Sequence, residues 1–135
     1  MRRCLILVAM VLVPLAAVRP LAAEEKPERI FLLIGQSNMA GRAPLKDGDQ
    51  KPIPGVQMLG SDGSWVDATN PLNRFATDRK DLSMQRIGPG FGFARQLAEK
   101  LEDEKVGLVV NARGGSSITL WKPGETLYDH TLARL

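Results

Sequence analysis

The feature that most constrains this chain is an unbroken apolar run, Ile30-Phe31-Leu32-Leu33-Ile34, with Arg29 on one side and Gly35 on the other. Five consecutive apolar residues, β-branched and aromatic among them, are too short for a buried helix. They are right for a strand covered on both faces, as in a parallel sheet. Beyond Gly35 the chain becomes small and polar, with Gln36, Ser37 and Asn38. In an open α/β sheet, ligands bind in the crevice beyond the carboxyl ends of the strands. Ser37 therefore stands where a nucleophile would be placed, although Gln-Ser-Asn is equally the composition of a plain turn. The Gly-x-Ser-x-Gly elbow is absent, because Met39 occupies the place two after the serine.

A second apolar run, Val106-Gly107-Leu108-Val109-Val110, again lacks alternation and reads as a buried strand beside the first. Between the two, Gly88-Pro89-Gly90 opens a helix with proline suited to its first turn. Phe93, Ala94, Leu97, Ala98 and Leu101 form its apolar stripe, and Arg95, Glu99, Glu102 and Asp103 take the other face. Strand, helix, strand with a right-handed crossover gives a parallel pair. The second strand then delivers Asn111-Ala112-Arg113-Gly114-Gly115 next to Ser37. Paired glycines let backbone N–H groups turn toward a ligand, and they also make a tight turn capped by Ser116 or Ser117. The glycines at 88, 90 and 92 miss the dinucleotide spacing, and no Lys-Ser/Thr pair comes after them for a phosphate loop.

Three stretches, in order, carry a resemblance. Gly35-Gln36-Ser37-Asn38-Met39, Gly88-Pro89-Gly90-Phe91-Gly92-Phe93-Ala94, and Val110-Asn111-Ala112-Arg113-Gly114-Gly115-Ser116-Ser117-Ile118 with Trp121 resemble the blocks of the sialate O-acetylesterase-like SGNH hydrolases. Carbohydrate esterase family 6 belongs to that branch. The resemblance runs from Glu28 to Leu135 and covers the front half of the family's domain. It implies an α/β fold: a partial SGNH (flavodoxin-like) three-layer domain, its parallel sheet flanked by helices, truncated after the second core strand and the start of the next helix. It also implies a secreted serine esterase acting on acetylated carbohydrate. Ser37 is then the nucleophile, with the N–H groups of Ser37 and of Gly115 or Gly114 as oxyanion donors. Gln36 and Asn38 shape the loop by side-chain hydrogen bonds. No metal or organic cofactor is implied.

The remaining stretches fill in around this frame. Val56–Leu59 and Ser64–Val66 read as a small hairpin around Gly60-Ser61-Asp62-Gly63, decorating the mouth of the site. Trp65 stacks on a sugar or plugs the hairpin onto the core; Trp121 is a second candidate for substrate contact. Thr126 to Leu135 starts a further helix with Tyr128, Leu132 and Leu135 on one face.

At the amino terminus, Arg2 and Arg3, the apolar run Leu5 to Val18 and Leu21-Ala22-Ala23 make a secretory signal over residues 1–23. Cleavage after Ala23 leaves residues 24–135, secreted or periplasmic, as the domain. The leader takes three arginines and no acid with it, so the rest carries fifteen basic and fifteen acidic side chains. The overall +3 charge thus belongs to the leader, and nothing points to nucleic acid or, after cleavage, to stable membrane insertion. Cys4 also lies in the leader, which leaves no thiolate chemistry.

A serine nucleophile needs a base and a carboxylate to orient it. His130 is the one histidine, and its neighbour Asp129 points to a different helix face. His130 therefore reads as an exposed helix residue, and the family's Gln-Gly-Glu and Asp-x-x-His motifs do not occur. The chain is expected to be inactive alone and marginal in stability, with Leu108, Val109 and Val110 near an exposed edge. Two other readings stay open: a non-catalytic secreted carbohydrate-binding module using Trp65 and Trp121, and a fragment without function.

Overall fold

The structure, a computed structural model, describes residues 26–135, so the leader reading lies outside the described residues. Four strands form one mixed sheet: β1 (Arg29–Gly35), β2 (Val56–Leu59), β3 (Trp65–Asp67) and β4 (Val106–Ala112). Their order across the sheet is β1-β4-β2-β3. β4 pairs parallel with β1 from Arg29 opposite Val106 to Gly35 opposite Ala112, and parallel with β2 on its other side. Only β3 runs antiparallel, against β2. The architecture is a small α/β domain built on one mixed four-stranded sheet with one reversed strand at its edge, consistent with the SGNH-like fold that the resemblance implies.

Register explains the layers. Phe31 and Leu33 face the same side as Leu108 and Val110. That side is covered by helix α2 (Pro89–Lys100), whose Phe93 ring meets Phe31 edge-on at 5.4 Å. At Gly90 a Cβ would come within 2.9 Å of Leu33 Cδ1, so the glycine lets the helix sit close to the sheet. The opposite face carries Gly107, Val109 and Asn111. Trp65 and Pro27 pack over Gly107, and helix α3 (Thr126–Leu132) lies over Asn111 through Thr131. Arg134 anchors the end of that helix by donating to Phe75 O and to Leu59 O, the latter at 2.9 Å.

Four expectations change. Every residue of β4 is buried, because strands flank it on both sides; Leu108, Val109 and Val110 are the centre of the sheet and not near its edge. β1 is the edge strand instead. It is not covered on both faces: Ile30, Leu32 and Ile34 are 54%, 39% and 43% exposed, since α3 lies over β4 and leaves β1 bare. The hairpin β2–β3 is an integral part of the sheet, with Val56 and Met58 in the core, rather than a decoration of the site. α3 stops at Leu132, and its buried residues are Leu127 and Thr131; Leu132 and Leu135 are exposed.

Candidate active site

β1 ends at Gly35, and the chain turns at Gln36 into the single helical turn α1 (Ser37–Ala40). The turn closes with Ala40 N–H donating to Gln36 O at 2.9 Å. Gly41 comes next at φ +95°, where a Cβ would lie 2.0 Å from Arg86 O. A Cβ on Gly88 would lie 2.7 Å from Met39 O. These glycines are therefore the points where the Ser37 turn and the segment leading into α2 touch backbone to backbone. That contact is the physical reason the first two motifs occur together.

The third motif comes from β4. Arg113 N–H donates to Gly35 O at 2.9 Å, so the loop after β4 leaves the sheet beside the loop after β1. Gln36 Nε2 donates to Ser116 O and ties the two loops together. A Cβ on Gly114 would stand 3.8 Å from Ser37 Cα, and Gly115 turns the chain at φ +77°. Neither glycine N–H donates to an acceptor among the described residues. Ser37 Oγ is likewise without a hydrogen bond there. Ser37 and Gly114 thus meet at one corner, with Gly115 next along the chain and nearer to Lys80. The side chain of Asn38 makes no hydrogen bond among the described residues, contrary to its expected loop-shaping role. It lines a cleft of about 430 Å³ with Arg42, Ala43, Ile87, Gly88 and Pro89. A larger cleft, about 570 Å³, lies around Pro44, Leu45, Pro71 and Leu82, and Ser37 does not line it.

Two cations border the corner, and a third, Arg113, directly precedes its glycines. The Arg42 guanidinium packs against Gly114, where a Cβ would come within 2.6 Å of Nη2, while Nη1 donates to Gly41 O and Met84 O, both at 3.0 Å. Lys80 Nζ lies 3.5 Å from the place a Cβ would take on Gly115. Arg113 Nη1 donates to Asp78 O at 2.7 Å. None of the three has a carboxylate partner among the described residues.

A buried polar network, missed in the sequence, holds this corner. Asn73, on the 3-10 turn Leu72–Phe75, is fully buried and grips the last residue of β4 twice. Its Oδ1 accepts from Ala112 N–H, and its Nδ2 donates to Ala112 O, both at 2.9 Å; Nδ2 also donates to Gln85 Oε1 at 2.8 Å. Asn111 accepts from Thr77 N–H at 2.9 Å and donates to Thr131 Oγ1 at 2.7 Å. A polar residue closing an apolar strand was the available signal for Asn111.

His130 is exposed, as expected, yet it has a partner. Its Nδ1 lies 3.0 Å from both carboxylate oxygens of Asp78, not Asp129, and it makes no bond to Ser37. Trp65 lies against Gly107, next to the amino end of β4, whereas the Ser37 corner lies beyond the strand's carboxyl end. Trp121 Nε1 donates to Ser116 Oγ at 3.0 Å and so stands behind the third motif. Among the described residues no group of three or more His, Cys, Asp or Glu is placed to hold a metal ion.

The model of the carbohydrate esterase, sialic acid-specific acetylesterase family matches residues 27–135. The chain belongs to this family. An Arabidopsis thaliana protein named probable carbohydrate esterase At4g34215 is 33% identical over 124 residues, covering 80% of this chain and 46% of that protein. The X-ray structure of the Arabidopsis thaliana protein AT4G34215 superposes with a TM-score of 0.70 at 30% identity, covering 81% of this chain and 50% of that one. The chain spans about half the length of the relatives it matches.

Proposed function

We propose that this chain carries the nucleophile half of an exported carbohydrate O-acetylesterase, with Ser37 as the attacking residue. The observation that carries the reading is the corner itself: in a chain of this family, Ser37 stands beside Gly114, and among the described residues neither the Ser37 hydroxyl nor the N–H groups of Gly114 and Gly115 have a hydrogen-bond partner. Ser37 Oγ adds to the acetyl carbonyl carbon, and the oxygen that gains negative charge takes hydrogen bonds from backbone N–H groups of Ser37 and the glycine pair. The bond from the acetyl carbon to the sugar oxygen breaks, and the proton given up by Ser37 Oγ ends on that oxygen, so the sugar leaves as an alcohol. Water then attacks the acetyl-serine and releases acetate. Residues 1–23 export the chain, and no cofactor enters the scheme.

Arg42, Lys80 and Arg113 favour an acidic sugar. Three cations that have no carboxylate partner among the described residues raise the local concentration of an anionic substrate, and Arg42 and Lys80, beside the glycines, orient its carboxylate. An O-acetylated sialic acid fits that chemistry better than a neutral acetylated xylan.

Among the described residues no base is placed against Ser37. Loss of a triad base costs on the order of a millionfold in kcat, and the His130–Asp78 couple does not reach Ser37. The test joins this chain in one polypeptide to the carboxyl-terminal half of the Arabidopsis relative and measures acetate release from O-acetylated sialic acid. Turnover abolished by Ser37→Ala is the expected result. Turnover that persists in Ser37→Ala overturns the assignment.

A further inference from the structure

A cleft of about 480 Å³ opens beyond the carboxyl end of β2, and Arg74, Arg79 and Arg134 line it together with Ser61, Phe75 and Thr77. No acidic side chain lines it among the described residues. β2 runs parallel to β4, and β4 to β1, so the cleft lies on the same edge of the sheet as the Ser37 corner. Two strand spacings, about 10 Å, separate β2 from β1 across the sheet. Arg79 and Lys80 are chain neighbours: Arg79 lines the cleft, and Lys80 stands beside Gly115 at the corner.

The three guanidiniums are held in place without being neutralised. Arg74 Nη2 donates to Thr69 O at 2.7 Å, and Arg79 Nε donates to Arg74 O at 2.6 Å. Arg134 donates through Nη2 to Leu59 O at 2.9 Å and through Nη1 to Phe75 O. Carbonyl dipoles fix an orientation but carry no net charge. None of the three arginines has a carboxylate partner among the described residues. The acids next to the cleft in the chain are turned to other groups: Asp62 accepts from Ser64, Asp78 pairs with His130, and Asp81 accepts from Ser83. The field of Arg79 reaches Asp81, but the two form no ion pair. Burial makes the charge costly. Nε of Arg74 and of Arg134 is shut off from solvent without a hydrogen bond among the described residues, and desolvation lowers the pKa of both side chains. Like charges converging on one cleft also repel, and an anion entering it offsets both costs. The exposed hydroxyls of Ser61 and Thr77 have no partner among the described residues and add neutral donors.

We propose that Arg74, Arg79 and Arg134 form a second anion subsite, which takes the carboxylate of another acidic unit of the glycan whose acetylated unit lies at Ser37. The subsite deepens the esterase reading and rests on it for the identity of the ligand: the substrate is an oligomer of acidic sugars rather than a single acetylated unit. Position selects this ligand. The cleft shares its edge of the sheet with the corner, and residues 74–80 lead from one to the other. A guanidinium fork matches a carboxylate with two parallel hydrogen bonds, which suits it to hold one unit of a chain in register. A free inorganic oxyanion offers the same chemistry without the link to Ser37, and the experiment separates the two.

Binding is measured on the chain with its arginine side chains isotopically labelled, and the probes are free sialic acid, its linear trimer and inorganic sulfate. The trimer is expected to bind about tenfold or more tighter than the monomer and to move the Nε–H signal of Arg79. Arg79→Gln cuts the trimer's affinity to about that of the monomer, and Arg79→Lys restores part of the difference. Arg79 also holds Arg74 O, so the urea midpoint of each variant is followed alongside. Thr77→Ala removes a hydroxyl that ties nothing among the described residues, and it weakens trimer binding with the midpoint in place. Equal affinities for monomer and trimer overturn the subsite, as does a trimer advantage that survives Arg79→Gln. Arginine signals that move with sulfate and not with the trimer also overturn it, and identify a site for a small free anion. Trimer binding that depends on Arg79, with no Ser37-dependent acetate release from the chain joined to the relative's carboxyl-terminal half, supports the subsite and overturns the esterase reading.

Discussion

Replacing Asn73 by alanine is the sharpest test of how the corner is held. The side chain makes three hydrogen bonds, two of them to the N–H and C=O of Ala112. Asn73 and Ala112 are 1% and 2% exposed, so water does not replace what is lost. Each buried backbone group left without a partner costs about 1–3 kcal/mol, which puts the two Ala112 groups at roughly 2–6 kcal/mol together. Domains of this size are stable by about 5–15 kcal/mol, so the loss is a large share of the whole. The assay is urea unfolding. With a slope of about 1–3 kcal/mol per molar for a small protein, the midpoint falls by ~2 M with the slope unchanged. The amide signals of Gly114 and Gly115 shift as well, because Ala112 leads directly into them. A midpoint lowered by less than ~0.3 M, with those signals in place, refutes the idea that Asn73 holds the end of β4.

Gly41→Ala destabilises the chain by more than Gly48→Ala when both are measured by urea midpoint. Both glycines have positive φ, +95° and +91°, which costs alanine about 1 kcal/mol. Only at Gly41 does the Cβ also meet backbone, 2.0 Å from Arg86 O, whereas nothing lies within 4 Å at Gly48; equal losses would contradict the close approach. Asp81 titrates below the ordinary carboxylate value of 3.8, chiefly because the Ser83 hydroxyl and N–H donate to it. The ionised carboxylate is the favoured form in the fold, so its support of the turn is complete above that value and is lost as the pH falls below it. Ser83→Ala moves the Asp81 midpoint up toward the ordinary value in a carboxyl chemical-shift titration, and an unmoved midpoint assigns the shift elsewhere.

Much of the frame was legible because burial leaves a pattern in consecutive residues. The apolar runs at 30–34 and 106–110 marked β1 and β4, and the stripe through Ala94 and Leu97 marked α2. The same runs did not reveal which strand is central. Both lack alternation, yet β4 has strands on each side and β1 has one. An apolar run records what a residue must be shielded from, not which neighbour shields it. The corner of Ser37 with Gly114 was legible because each lies directly beyond a strand. Its supports were not. Asn73 sits 39 residues from Ala112 and looks like any turn asparagine, and Asp78 is 52 residues from His130. Contacts of that separation have no periodicity to announce them. Of the two roles open to Trp65 in the sequence, its packing over Gly107 fits the plug.

Whether Ser37 Oγ is the attacking atom is tested most directly with a fluorophosphonate probe. It is offered to the chain joined to the relative's carboxyl-terminal half, and the adduct is located by peptide mapping. A single adduct on the peptide containing Ser37, absent after Ser37→Ala, is the expected result. An adduct on Ser116 or another serine, with Ser37 unmodified, contradicts the assignment.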